Sequence, residues 1–277
     1  MALFPQRRRR QRLSLGAEAL EPKIALTAAP LNIDSFILST STGETFFTTA
    51  EPTDSGNWPN MLWVTDGTAA GTTPVADLPR GNYFYSGDAI DLGSGEILFT
   101  LDDGVHGREL WKTDGTAAGT QLVVDLAGGE SLQYGYDSET DRWSETVLPN
   151  GSSPSNFVRA GNGFVYFTAV VPDGPPDADG SQRYHDGVWR TDGTAVGTQQ
   201  VLLFEDESDP ILGLLSINGE VFLTKSTVNW DGNGSSTDIS IWDLTSGANP
   251  QLLVDGVSLP GGYYGSYSNE GLFAQVG

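Results

Sequence analysis

From Phe36 onward the chain alternates apolar and polar positions in short runs broken by Gly, Asn, Asp and Ser. A period of two sends successive side chains to opposite faces of a strand, so the pattern predicts antiparallel β-structure. Ile97-Leu-Phe-Thr-Leu101 typifies these runs. No stretch of about a dozen residues keeps an i, i+3, i+4 apolar stripe, so helices are not expected.

A repeat organises the strands. Glu109-Leu-Trp-Lys-Thr-Asp-Gly-Thr-Ala-Ala-Gly-Thr120 returns as Met61 to Thr72 and as Gly187 to Thr198, and Ile239 to Gly247 keeps the tryptophan but loses the Asp-Gly-Thr turn. Each copy must be one supersecondary unit stacked on its neighbours. Aligned on the tryptophan, strand A is 36–40, 88–92, 156–160 and 213–217, and strand B is 45–50, 96–101, 164–170 and 220–225. Strand C carries Trp63, Trp111, Trp189 and Trp242, and strand D follows the turn. Four-stranded antiparallel units at this period predict an all-β protein, a β-propeller. The blades are 36–78, 88–126, 156–204 and 213–255, with a partial fifth at 263–276. The four indoles are expected to fill the wedges between blades. Asp66, Gly67, Asp114, Gly115, Asp192 and Gly193 are expected to build the C–D turns, where glycine permits φ > 0 and Asp satisfies turn backbone.

The motif resembles the ELWxxDGT-repeat proteins, bacterial and largely cell-surface sequences also called hyalin-like, over about residues 36–255. The resemblance implies a cell-surface or extracellular protein. Arg7 to Arg12 followed by Ala19-Leu-Glu-Pro-Lys23 is similar to the Leu-Glu-Pro-Arg leader of certain large exported bacterial proteins, with Lys23 where Arg usually stands. Residues 1–30 are accordingly read as a basic export or targeting leader outside the fold. The far end holds only strands A and B of a fifth blade. Residues 24–35 add a strand to close the ring, or the chain is a fragment, or a second molecule completes the blade by self-association.

Composition narrows the function classes. The formal charge is −22, and residues 1–23 hold six of the 14 basic groups but only two of the 36 acidic ones. So acidic a body repels phosphate backbones, which argues against nucleic-acid binding. There is no cysteine and only His106 and His185, so thiolate chemistry is excluded and a multi-histidine metal site is poorly supplied. No apolar run reaches the ~18 residues of a membrane span.

In an up-and-down blade the A–B and C–D hairpins share one face of the disc, and both are short and uniform here. All length variation falls on the opposite face, at 51–60, 79–87, 127–155, 172–186, 226–238 and 256–266. Those loops hold Trp58, Trp143 and Trp230 and the tyrosines Tyr134, Tyr136 and Tyr184, and the same face takes both histidines, His106 five residues and His185 four residues before the strand-C tryptophan. Loops carried by a rigid scaffold are where binding residues usually reside. The decorated face is the candidate contact surface, for a cell-surface polysaccharide or a protein; aromatics among Asp and Asn suit sugar rings, and the same aromatics also suit pinning of long loops.

Asp177-Ala-Asp179-Gly-Ser181 and Asp231-Gly-Asn233-Gly-Ser235 place oxygen donors at alternate residues, as calcium loops do. Neither carries the Glu at position twelve. Calcium is thus the one cofactor considered. No catalytic motif is present, so the chain reads as a non-catalytic binding or structural module. A lectin-like propeller and a polysaccharide-acting hydrolase or lyase are the alternatives.

Overall fold

In the computed structural model, the described residues are 33–50, 60–78, 89–137, 142–178, 182–204, 211–230, 235–245 and 249–259. The leader and the partial fifth blade lie outside them. The described chain is all-β. Four sheets are simple antiparallel meanders of four strands each. The first is β1 Ile33–Ser39, β2 Thr45–Ala50, β3 Asn60–Thr65 and β4 Thr73–Leu78. The second is β5 Ala89–Asp91, β6 Ile97–Asp102, β7 Arg108–Thr113 and β8 Gln121–Val124. Between it and the third sheet lies a separate two-stranded ribbon, β9 Glu130–Asp137 with β10 Arg142–Pro149. The third sheet is β11 Ser155–Arg159, β12 Val165–Pro172, β13 Tyr184–Thr191 and β14 Gln199–Phe204. The fourth is β15 Ile211–Ile217, β16 Glu220–Trp230, β17 Ser235–Asp243 and β18 Gln251–Leu259.

Three stretches expected as loops are strand. The 127–155 insertion is largely ribbon, with Trp143 opposite Tyr136 and Tyr134 opposite Glu145. Tyr184 and His185 open β13 and pair with Pro172 and Val171. Trp230 ends β16 opposite Ser235. In the last two cases the strand runs on past the repeat unit because its neighbour is long enough to keep pairing.

The sheets follow one another with their first strands adjacent, β1 near β5, β5 near β11 and β11 near β15. The second strands are the ones buried on both faces, over 46–49, 97–101 and 165–169. Phe46, Leu62, Val75 and Leu78 meet Ile97, Phe99 and Leu101, with Trp111 against them. Leu98, Leu110 and Val123 meet Val165, Phe167 and Ala169, with Trp189. Ala160, Tyr166 and Val188 meet Leu214, Val221, Leu223 and Leu244, with Trp242. At every interface the strand-C indole comes from the later sheet. Trp63, whose sheet comes first, stacks on Phe47 at 6.2 Å and donates its N–H to Thr49 Oγ1 at 2.9 Å. The N–H groups of Trp111, Trp189 and Trp242 are buried and find no acceptor; these three indoles act through packing alone.

The three intact repeat turns are built alike. In 113–120, Asp114 Oδ1 accepts from Thr116 N–H at 2.9 Å and from its hydroxyl at 2.7 Å. Thr116 Oγ1 accepts from Gly119 N–H, and Thr120 Oγ1 donates to Thr116 O. Asp66 with Thr68 and Asp192 with Thr194 repeat this set. The threonine hydroxyl bond holds each Asp carboxyl below its ordinary value. Gly115 sits at φ +84°, beside Val64 of the preceding sheet. Gly193 (φ +88°) likewise lies against Leu92. The repeat turn is thus both a hairpin and a wedge between sheets.

Candidate functional site: a clamped strap and its ribbon

The ribbon is tied to the body by the segment Asn150 to Pro154, which crosses the start of β7. Two backbones pass so closely that only glycine fits. A Cβ on Gly107 would lie 2.2 Å from Asn150 O, and one on Gly151 would lie 2.6 Å from Arg108 N. Ser153, at φ +46°, donates its N–H to Arg108 O at 2.9 Å. Thr100 Oγ1 donates to Pro154 O at 2.6 Å, and Val170 N–H to Ser152 O at 2.8 Å. The strap is therefore stitched to both the second and third sheets.

Its centre is Glu109, with 0% exposure. One oxygen, Oε1, accepts from Ala127 N–H at 3.2 Å and Ser152 N–H at 2.9 Å. Oε2 accepts from Leu126 N–H at 3.1 Å and the Ser152 hydroxyl at 2.5 Å. Burial raises the Glu109 carboxyl above its ordinary value, outweighing the pull of these donors. A carboxyl with donors on both oxygens and no exposed surface has no open approach for a substrate. Its chemistry is that of a clamp.

Of the expected contact residues Tyr184 reaches this strap, and both histidines adjoin residues that touch it. Tyr184 OH donates to Asn150 Oδ1 at 2.9 Å. His106 precedes the Gly107 that abuts Asn150, and His185 follows Tyr184. His106 Nδ1 lies 2.7 Å from Asp103 Oδ2, a bond that raises the imidazole above its ordinary value. Burial pushes the Asp103 carboxyl up, but hydrogen bonds from the His106 N–H, its ring and Val105 N–H together hold it below its ordinary value. His185 Nε2 lies 3.2 Å from Asp173 Oδ1, while its Nδ1 is buried without a partner.

The aromatic positions divide. Tyr134, Tyr136 and Trp143 belong to one face of the ribbon by register, along with Glu145 and Val147. Val147, on that face, is 58% exposed. Trp230 is placed only by its backbone, at the end of β16 on the fourth sheet, and Trp58 lies outside the described residues. The calcium expectation gains no cluster. Asp177 lies 3.6 Å from Arg183 Nε, and Asp179, Asp231 and Asn233 lie outside the described residues. Among the described residues no group of three or more His, Asp or Glu is arranged to hold a metal ion. Likewise no described helix is long and apolar enough to cross a membrane.

Sequence reading passed over Glu109, Asn150 and Ser152. A signal was present: the position of Glu109 is Met61, Gly187 and Ser240 in the other copies, and only the copy with the acid precedes the longest insertion.

A second candidate lies at the other end of β13, where sequence reading expected uniform turns. An open cleft of about 330 Å³ is lined by Asn162, Tyr166, Arg190, Gln200, Val201, Leu244, Thr245, Asn249 and Pro250.

No protein-family model matches the chain. No curated protein matches it either. Among solved structures it is similar to one titled "Structure of a mycobacterium tuberculosis puromycin-hydrolyzing peptidase", with 11% identity and a TM-score of 0.46, covering 82% of this chain and 32% of that chain. The chain spans about a third of the peptidase's length, and the likeness assigns it neither fold nor activity.

Proposed function

We propose that this chain is an exported β-propeller acting as a non-catalytic binding module, with the β9–β10 ribbon as its contact surface. Successive four-stranded meanders with adjacent first strands and wedge-filling indoles support the propeller reading. Export to the cell surface or beyond rests on the resemblance of the repeat and of the leader. One observation carries the functional reading: a ribbon that joins no other sheet among the described residues is held at its base by a saturated, inaccessible carboxyl and bears three aromatic positions on one face. Buried ionisable chemistry here is spent on holding a surface in place.

Carbohydrate is the ligand class this surface favours. Tyr134 and Tyr136 are two residues apart, about 7 Å along a strand, with Trp143 directly across. That spacing suits flat stacking on consecutive sugar rings, and Glu145 on the same face suits their hydroxyls. A neutral polysaccharide is the better fit, given the acidic body. The test is retention of the protein on a panel of immobilised neutral glycans. Trp143→Ala with Tyr136→Ala should abolish retention while leaving the melting temperature within a few degrees. Unchanged retention in the double variant would remove the ribbon from the contact surface.

A further inference from the structure

The fourth repeat copy lacks the Asp-Gly-Thr turn, and the structure has an opening at that junction. At the first two junctions the incoming turn rests on the preceding sheet through Gly115 and Gly193. The fourth sheet's C–D connection is one residue shorter, since Trp189 pairs with Gln200 but Trp242 with Leu252. Asp243 has taken over a local role, accepting from Thr245 N–H at 2.9 Å, and Thr245 Oγ1 accepts from Val221 N–H at 2.9 Å. The cleft sits between this shortened connection and the third sheet.

Its lining is chemically distinct from the rest of an acidic protein. Arg190 is the charged residue in it, and Asn162, Tyr166, Gln200, Thr245 and Asn249 supply neutral donors and acceptors. Among the described residues no carboxylate lines it. Arg190 is pre-positioned: its guanidinium lies 4.9 Å over the Phe164 ring and donates through Nη2 to Gln199 Oε1 at 2.8 Å. The other N–H groups of that fork have no protein acceptor among the described residues. Tyr166 is 2% exposed, and its hydroxyl accepts from Asn162 Nδ2 at 3.4 Å. The hydroxyl's own proton likewise has no acceptor among the described residues. Leu244 and Pro250 add an apolar wall. The volume is at the low end of small-molecule sites, room for one sugar ring with its waters.

We propose that this cleft binds a single uronate residue, a pyranose whose carboxylate is taken by Arg190 and whose hydroxyls meet Tyr166, Asn162, Gln200 and Asn249. A guanidinium fork matches a carboxylate through two parallel hydrogen bonds, and amides and hydroxyls match the alternating donors and acceptors of a sugar. Repulsion from the acidic body is screened beyond ~8 Å at physiological salt, so local complementarity governs. The proposal is independent of the ribbon reading, because β13 carries Tyr184 at the strap and Arg190 at the cleft, at opposite ends of the strand.

The experiment is titration calorimetry of the full chain with glucuronate, glucose and acetate. Saturable glucuronate binding is expected, with glucose and acetate each at least about tenfold weaker, since each lacks one half of the recognition. Arg190→Gln should weaken glucuronate about tenfold or more. Arg190→Lys, which keeps the charge but not the fork, and Gln200→Leu should each weaken it by a smaller factor and decide the matter if Arg190→Gln misfolds. Trp143→Ala should leave it unchanged, which separates this site from the ribbon. Absence of saturable glucuronate binding, glucose binding as tight as glucuronate, or full affinity in the Arg190 and Gln200 variants would each overturn the proposal.

Discussion

Replacing Glu109 by glutamine tests the clamp that holds the strap. The side chain keeps its shape, but one of two acceptor oxygens becomes an NH2 group. Two of the four donors at Leu126, Ala127 and Ser152 then face a donor. Each buried group left unpaired costs about 1–3 kcal/mol, and removal of a buried charge returns part of that. The net expectation is about 2–4 kcal/mol. Long sheet arrays need not unfold in one step, so a local probe is preferable to a global melt. Native-state hydrogen exchange at the Leu126, Ala127 and Ser152 amides reports the opening of the strap directly. At ~1.4 kcal/mol per decade, exchange there should accelerate about 30- to 1,000-fold, with Leu98 and Leu110 amides in the sheet core changing far less. An acceleration below about threefold would refute the clamp. The pH dependence adds a sign. Because burial raises the folded carboxyl above its ordinary value of 4.5, the folded state keeps a proton that the unfolded chain has released. Stability therefore falls as pH rises from about 4.5 through the raised value, and the wild type should lose this increment relative to Glu109→Gln.

Gly119→Ala should cost at least about 2–3 kcal/mol, because the new Cβ would lie 2.0 Å from Asp114 Oδ1; Val196→Ala, at a position 88% exposed, should change stability by less than about 0.5 kcal/mol in the same urea titration. The His106–Asp103 pair should be tightest between about pH 4 and 6.5: the raised histidine contributes fully below its ordinary 6.5 and is lost above its folded pKa, and the lowered Asp103 contributes above its ordinary 3.8 and is lost as pH falls through its folded pKa. An NMR titration of His106 that gave a midpoint below 6.5 would contradict this. Trp63→Phe should cost about 1 kcal/mol more than Trp189→Phe, since the first removes a bond to Thr49 and the second removes a buried N–H that has no acceptor. Equal costs in denaturant titrations would show that the Trp63 bond contributes nothing.

The four meanders were legible because tryptophan, turn and alternation recur at fixed offsets, and local pattern is enough to specify a hairpin. The ribbon was not. Residues 130–149 pair outside any repeat, and an isolated two-stranded ribbon is held by tertiary contacts, here Glu109 and the Gly107–Gly151 crossing, which no local period announces. Tyr184 and His185 look like loop in sequence because β13 extends beyond the repeat unit along a long β12 partner. The cleft was legible only in reverse. The loss of the Asp-Gly-Thr turn after Trp242 marked it, but loop length drew attention to the opposite end of the sheets.

The function proposed for this chain is binding without catalysis. The direct measurement is to hold the full chain on a polysaccharide that retains it and to follow new reducing ends over hours at pH 7. Sustained retention is expected, lost in the Trp143→Ala, Tyr136→Ala double variant, with reducing ends no higher than in a protein-free control. A steady rise in reducing ends proportional to protein concentration would contradict it.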